Sequence, residues 1–177
     1  MDGSTQLAMT ELLYDDRFWE QYVGKHLVND PITAIVELVA NAWDAGAKEV
    51  RIYWPEQTGD SLQVTDDGEG MTEAEFFRRW GTMSYDRCKE QGETVLVSVN
   101  DVQRKRKTYG RNGIGRFAAF CFGSEYTVTT WKGGIESRFL VKKGKTRPLD
   151  IVRIESGKST KSGTSIDVLK TIGLQMH

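Results

Sequence analysis

Glu37-Leu38-Val39-Ala40-Asn41-Ala42-Trp43-Asp44-Ala45-Gly46-Ala47 decides how the rest of the chain is read. An acid and an amide four residues apart lie on one face of a helix, and Asp44 follows at i+7, so Glu37, Asn41 and Asp44 form a single polar stripe. Ile35, Val36, Leu38, Val39, Ala40 and Ala42 leave the remaining surface apolar enough to bury. Upstream, Asp30-Pro31 fits an N-cap followed by proline at the first helical position, and Gly46 fits a C-terminal stop. The spacing predicts a helix over about 31–45. Taken alone, the stripe is equally what a solvated face of an amphipathic helix presents, so its meaning rests on residues further along the chain.

Three downstream stretches bear on it. Thr65-Asp66-Asp67-Gly68-Glu69-Gly70-Met71 comes directly after a short alternating segment with Leu62 and Val64. A carboxylate at such a strand end can accept a hydrogen bond from an exocyclic amine, and the glycines allow close approach to the backbone. An Asp/Gly turn explains the pattern about as well. Gly110-Arg111-Asn112-Gly113-Ile114-Gly115-Arg116 opens an apolar stretch expected to be helical to Phe122, where backbone N–H groups can face phosphate. It lacks the strand and acidic partner of a dinucleotide fingerprint, and no Walker Lys-Ser/Thr comes after the glycines. Ser162-Gly163-Thr164 begins a late strand and offers hydroxyls.

Composition bounds the rest. The 177 residues, 38% of them hydrophobic, suffice for one domain with its own core. A net charge of −1 excludes a domain that is basic throughout, so nucleic acid would need a local patch. Two cysteines and two histidines point away from a zinc cluster or a disulfide framework, and to a reducing cytoplasmic compartment. With no apolar run of about eighteen residues and no signal peptide, no membrane association is expected. A helix is expected over Asp15 to Val28, a hairpin from Val50-Ile52-Trp54 and Leu62-Val64, and a Thr72-capped helix to Trp80 with Ala74, Phe76, Phe77 and Trp80 inward. Strands are expected near 126–131, 136–141, 151–154 and 164–169. The mostly polar segment 81–109, where only Val95, Val97 and Val99 alternate, is expected to be a long mobile lid. Its run Arg104-Lys105-Arg106-Lys107 fits a solvated lid surface better than a nucleic-acid contact. The five tryptophans are expected in the core or at interfaces. Helices before and within hairpin-linked strands point to an α+β two-layer sandwich.

In order, the four motifs resemble those of the GHKL superfamily, named for DNA gyrase, the large heat-shock chaperones, histidine kinases and MutL-type repair proteins. The resemblance runs from about Val23 to Leu169, with Glu37–Asp44 similar to the N box, Asp66–Gly70 and Gly110–Gly115 to the two glycine boxes, and Gly163-Thr164 to the last motif. It implies a Bergerat ATP-binding fold, a mixed and mainly antiparallel sheet covered by helices on one face, and Mg2+ and ATP as ligands. By the resemblance, Asp66 recognises the adenine amine, Thr164 assists through water and Met71 packs on the ring beside Gly68 and Gly70. Asn41 holds Mg2+, Glu37 orients and deprotonates the attacking water, and backbone amides of Gly113, Ile114, Gly115, Arg116 and Phe117 hold the phosphates with Gly110, Arg111 and Asn112. Ala45 and Thr82 complete the expected contacts, Asp44 supports the site by pairing with a Lys or Arg, and Arg79 lies near the sugar and phosphates.

Asn112 departs from the lysine that many bacterial members carry, so Arg111, Arg116 or another residue is expected to supply the phosphate-facing cation. The chaperone, MutL and MORC branches are the nearest in style. They imply an ATPase domain, residues 1–177, within a longer protein whose following domain delivers a basic residue to the γ-phosphate and whose lid closure accompanies homodimerisation. Leu12, Leu13, Tyr14, Phe18 and Trp19 would then be an apolar leader that crosses to the partner. Alternatives are a histidine-kinase-like catalytic domain, against which Glu37 and the position of His26 argue, and a module that senses ATP without hydrolysing it.

Overall fold

The computed structural model describes residues 29–57, 59–82, 85, 87–99, 102–110, 113, 115–144, 147–169 and 171, and only the backbone at Arg87, Cys88 and Val99. The expected leader and first helix, residues 1–28, lie outside the described residues.

Helix α1 spans Pro31–Asp44. Asp30 caps it by accepting from the Ile32 N–H at 3.0 Å and the Thr33 hydroxyl at 2.6 Å, and Pro31 occupies its first turn. Gly46, at φ 78°, follows the last turn as a glycine stop does. Strands β1 (Val50–Tyr53) and β2 (Leu62–Asp66) pair as the expected hairpin. Helix α2, Glu73–Gly81, begins with a capping box: Thr72 Oγ1 accepts from the Glu75 N–H and Glu75 Oε2 accepts from the Thr72 N–H. Phe76 and Trp80 are its buried residues. Phe76 stacks between Trp80 and Phe139, with ring centroids 4.8 and 3.9 Å away. Ala74 and Phe77, expected inward, are not buried with them: both are exposed. Positions four apart share a helix face, and the stacking of Phe76 and Trp80 selects theirs.

Residues 81–109 contain a short helix α3 (Arg87–Gln91) and a hairpin of β3 (Thr94–Val99) and β4 (Val102–Lys107), a two-stranded sheet of its own. Helix α1 holds this hairpin. The Arg106 guanidinium lies 3.9 Å over the Trp43 ring and donates to the Ala47 and Trp43 carbonyls, while Trp43 Nε1 donates to the Lys107 carbonyl at 2.9 Å. Trp43 is thus a fastener, still 46% exposed, and not a core residue.

A 3₁₀ helix at Gly115–Cys121 replaces the longer helix expected to begin at Gly113. Gly113 itself sits at φ 63°, outside any right-handed helix. Strands β5 (Glu125–Lys132), β6 (Ile135–Lys143), β7 (Leu149–Lys158) and β8 (Gly163–Val168) complete a six-stranded sheet in the order β1-β2-β8-β5-β6-β7. Every pairing between these strands is antiparallel. The helices lie on one face, where Leu38, Phe76, Phe117 and Phe120 pack with Leu62, Val64, Val128, Phe139 and Ile166. This is the α+β two-layer sandwich the motifs implied. No described helix is long and apolar enough to cross a membrane.

Strand β8, late in the chain, is inserted between β2 and β5, which sets Thr164 opposite Asp66. Gly163 and Gly70 make that junction possible. A Cβ on Gly163, at φ 119°, would lie 2.0 Å from the Asp66 carbonyl oxygen, and one on Gly70, at φ 64°, would lie 2.1 Å from that of Trp131. Gly163→Ala should therefore lower the unfolding free energy by more than about 3 kcal/mol, since strained dihedrals and a backbone clash add. Urea unfolding that shows a loss below about 1 kcal/mol would mean that the junction yields freely.

Candidate nucleotide-binding site

Two adjacent aspartates at the end of β2 have different tasks. Asp67 Oδ1 accepts from the N–H groups of Lys48 and Glu49, at 2.6 and 2.8 Å, and so fixes the chain leaving α1. Asp66 turns into a cavity of about 400 Å3. Its Oδ1 accepts from the Gly68 N–H at 2.8 Å, and the Thr164 N–H also donates to the carboxylate. Burial outweighs both bonds and the carboxyl is pushed up to about 6. Val64, Ile166, Leu38, Ala42 and Met71 supply apolar wall around it.

Helix α1 contributes Glu37, Asn41 and Asp44 to the same cavity, with Ala45 just past its end. At about 1.5 Å per residue, Glu37 and Ala45 are separated by roughly 12 Å along the helix, room for an elongated ligand. The Glu37 carboxyl is raised by burial and by the charge of Asp44. The Asn41 amide nitrogen is buried without a hydrogen-bond partner among the described residues. Gly115 lies against both side chains: a Cβ there would be 2.7 Å from Glu37 Oε2 and 3.2 Å from Asn41 Oδ1. Glycine at this position lets the second glycine box approach the polar stripe without displacing the Glu37 carboxylate.

Asp44, expected to pair with a Lys or Arg, is 4% exposed and accepts from the backbone N–H groups of Tyr109 and Gly110 at 2.7 and 2.8 Å. Two backbone donors satisfy this buried carboxylate, and its charge also acts on the Arg106 guanidinium. The two bonds also pin the end of the β4 connection where the glycine box begins. Arg116 uses its guanidinium at the end of α2, donating to the Arg79 and Thr82 carbonyls. Carbonyls at a helix C-terminus have no partner within the helix, so the side chain serves as a C-cap while also lining the cavity. Arg79 lines the cavity, with Nη2 3.7 Å from Glu75 Oε1. Glu75 is held in turn by Lys132 Nζ at 2.8 Å.

Of the expected residues, Gly70, Met71, Gly110, Gly113 and Thr164 also line the cavity. Gly68, Thr82 and Phe117 do not form its wall. Gly68 presses on Ala45, where a Cβ would meet the carbonyl oxygen at 2.8 Å, and Phe117 is 1% exposed within the core. The first glycine box thus permits contact between protein segments as well as access to a ligand. Ser162 donates to the Gly68 carbonyl at 2.5 Å. Arg111, Asn112 and Ile114 lie outside the described residues. Sequence reasoning missed Tyr85, Gln91 and Tyr109, which line the cavity from a polar stretch without periodicity. Trp80, Val64 and Ile166 were legible only as apolar positions.

The donor set fits Mg2+ in one specific way. Among the described residues no group of three or more His, Cys, Asp or Glu could hold a metal ion. The Asn41 side-chain oxygen would then be a single protein ligand to a hard cation that takes its other oxygens from water and a bound phosphate chain, while the unsatisfied amide nitrogen of the same side chain suits a phosphate oxygen as acceptor.

The family of histidine kinase-, DNA gyrase B-, and HSP90-like ATPases matches residues 29–161. The chain is 27% identical over 148 residues to the DNA mismatch repair protein MutL of Streptococcus thermophilus, covering 84% of this chain and 21% of that protein. It is 27% identical over 123 residues to the putative type II restriction enzyme HgiDII of Herpetosiphon aurantiacus, covering 70% and 18%. It is 30% identical over 91 residues to the chaperone protein HtpG of Rhodopseudomonas palustris, covering 51% and 14%. The chain spans about a fifth of the length of these relatives or less. With the antiparallel sheet under its helices, the two glycine boxes meeting the α1 stripe at one cavity, and the family matched over well more than half its length, this chain belongs to the histidine kinase-, DNA gyrase B- and HSP90-like ATPases.

Proposed function

We propose that this domain binds Mg-ATP and hydrolyses it, within a longer protein whose lid closure and homodimerisation are driven by nucleotide binding. The convergence of a buried, proton-hungry Asp66 and the Glu37–Asn41 stripe on one elongated cavity carries the reading. Asp66 accepts the adenine amine, Thr164 lies beside it, and Met71 packs on the ring. Asn41 holds Mg2+, which neutralises phosphate charge when bound. Gly113 and Gly115 bring backbone N–H groups to the phosphates, and Arg79 adds a cation. Glu37 takes a proton from the attacking water, its raised carboxyl being the better base for it. The segment 81–109 acts as the lid, and the leader with Leu12, Leu13, Tyr14, Phe18 and Trp19 crosses to a second copy. The names of MutL and of the restriction enzyme suggest a DNA-processing assembly as the setting, in the cytoplasm, and the downstream domains as further partners.

Calorimetry tests the ligand assignment. ATP and ADP should bind in the presence of Mg2+, while GTP, whose ring carbonyl cannot donate to Asp66, should bind at least about 100-fold more weakly, as sites built around one buried polar contact discriminate. Equal affinity for GTP would remove Asp66 from base recognition.

A further inference from the structure

The β3–β4 hairpin has an outer face that its contact with α1 does not use. Val95 and Arg106 turn toward α1: a Cβ on Gly46 would touch the Val95 side chain at 3.3 Å, and Arg106 covers Trp43. Val97, on that same face, is buried. Alternation then places Thr94, Leu96 and Ser98 on the outer face, opposite Lys107, Lys105 and Gln103 in the ladder. Leu96 is 63% exposed, and all the β4 side chains except Arg106 are exposed.

Basic residues are concentrated on this strand. Elsewhere on the surface Arg51, Arg78, Lys132, Lys142 and Arg153 each pair with a glutamate. Arg104, Lys105 and Lys107 have no ion-pair partner among the described residues and lie in one short stretch of a single strand. Lys105 and Lys107 point the same way about 7 Å apart, at two residues of strand rise, near the spacing of successive phosphates. Between and beside them stand an amide and two hydroxyls, groups that bond phosphate oxygens and base edges. A two-stranded ribbon separate from the main sheet also has the cross-section that the major groove of B-form DNA, about 12 Å wide, admits.

We infer that the outer face of the β3–β4 hairpin binds duplex DNA, with Lys105 and Lys107 on the phosphates, Arg104 joining them around the edge of β4, and the Gln103 row toward the groove. The DNA face does not depend on the nucleotide assignment. A-form RNA, with its deep and narrow major groove, does not admit the ribbon.

Fluorescence anisotropy of the whole chain with a labelled 20-base-pair DNA duplex tests it. Three phosphate contacts give a log-affinity against log-salt slope of about −2.7, roughly a 40-fold loss between 50 and 200 mM salt. Arg104→Gln/Lys105→Gln/Lys107→Gln should lower affinity at least tenfold at 50 mM and flatten the slope, with the urea midpoint unchanged. Lys105→Arg/Lys107→Arg, which keeps the charge, should bind as the wild type does. The proposal is overturned if the triple glutamine variant binds DNA as well as the wild type, if the arginine variant loses binding, or if the wild type shows no binding at 50 mM. Equal affinity for an RNA duplex of the same sequence, or for anionic vesicles of phosphatidylserine, would overturn it as well.

Discussion

Glu37→Gln should lower the rate of ATP hydrolysis by about 10²- to 10⁴-fold, the range a positioned general base contributes. Affinity for ATP and ADP should stay within about threefold. The substitution keeps the shape of a side chain packed against Gly115, so the cavity wall is conserved while the proton acceptor is lost. The role rests on position and on basicity. Glu37 shares its face with Asn41, and both burial and the neighbouring Asp44 charge raise its carboxyl. A raised carboxyl is the stronger base. Single-turnover phosphate release reads the effect even when the chain turns over slowly. A rate within tenfold of wild type would mean that the water is activated without Glu37. An unmeasurable rate in the wild type, with ATP bound normally, would favour the nucleotide-sensing reading.

Local signals made α1 and α2 legible, because capping residues and apolar spacing act within a few residues: Asp30-Pro31, Gly46 and the Thr72 cap all sit where the sequence implied. The strands of the main sheet were legible through alternation. Their order was not, since the insertion of β8 between β2 and β5 is a contact between segments about a hundred residues apart. That insertion is what brings the Thr164 N–H to Asp66. Strand β4 had no apolar alternation to find. One of its faces is in solvent, and the other packs through the guanidinium of Arg106 on Trp43 where a strand usually offers a branched aliphatic side chain. The backbone roles of Asp44 and Arg116 were not legible for a related reason: charge suggested ionic partners or phosphate, and each also satisfies backbone groups that only the fold brings near.

Asp66→Asn should strengthen the free protein and weaken its complex, two changes of opposite sign from one atom. The carboxyl titrates near 6 in the folded protein because burial disfavours its charge. Unfolded, it returns to about 3.9. Between those values the folded state holds the proton more tightly, so the contribution of Asp66 to stability falls as pH rises through the window, and the full penalty is present above 6. Two pKa units amount to about 3 kcal/mol. An asparagine oxygen still accepts from the Gly68 N–H but carries no charge to desolvate. The variant should therefore be more stable than wild type by about 1–3 kcal/mol at pH 7.5, and the difference should shrink toward zero as pH falls to about 4. In the complex the balance reverses. Hydrogen bonds to a charged group contribute about 1.5–3 kcal/mol, so adenine-nucleotide affinity should drop on the order of 10- to 100-fold. Below pH 6 wild-type affinity should itself fall by up to about tenfold per unit, relative to the variant, in which that carboxyl is absent. Urea unfolding and ADP titration from pH 4.5 to 7.5, run on both proteins, separate the two effects. A variant that is less stable than wild type at pH 7.5 would show that Asp66 is held ionised as a structural ligand of the Gly68 and Thr164 N–H groups. A variant of unchanged ADP affinity would show that the adenine amine finds its acceptor elsewhere.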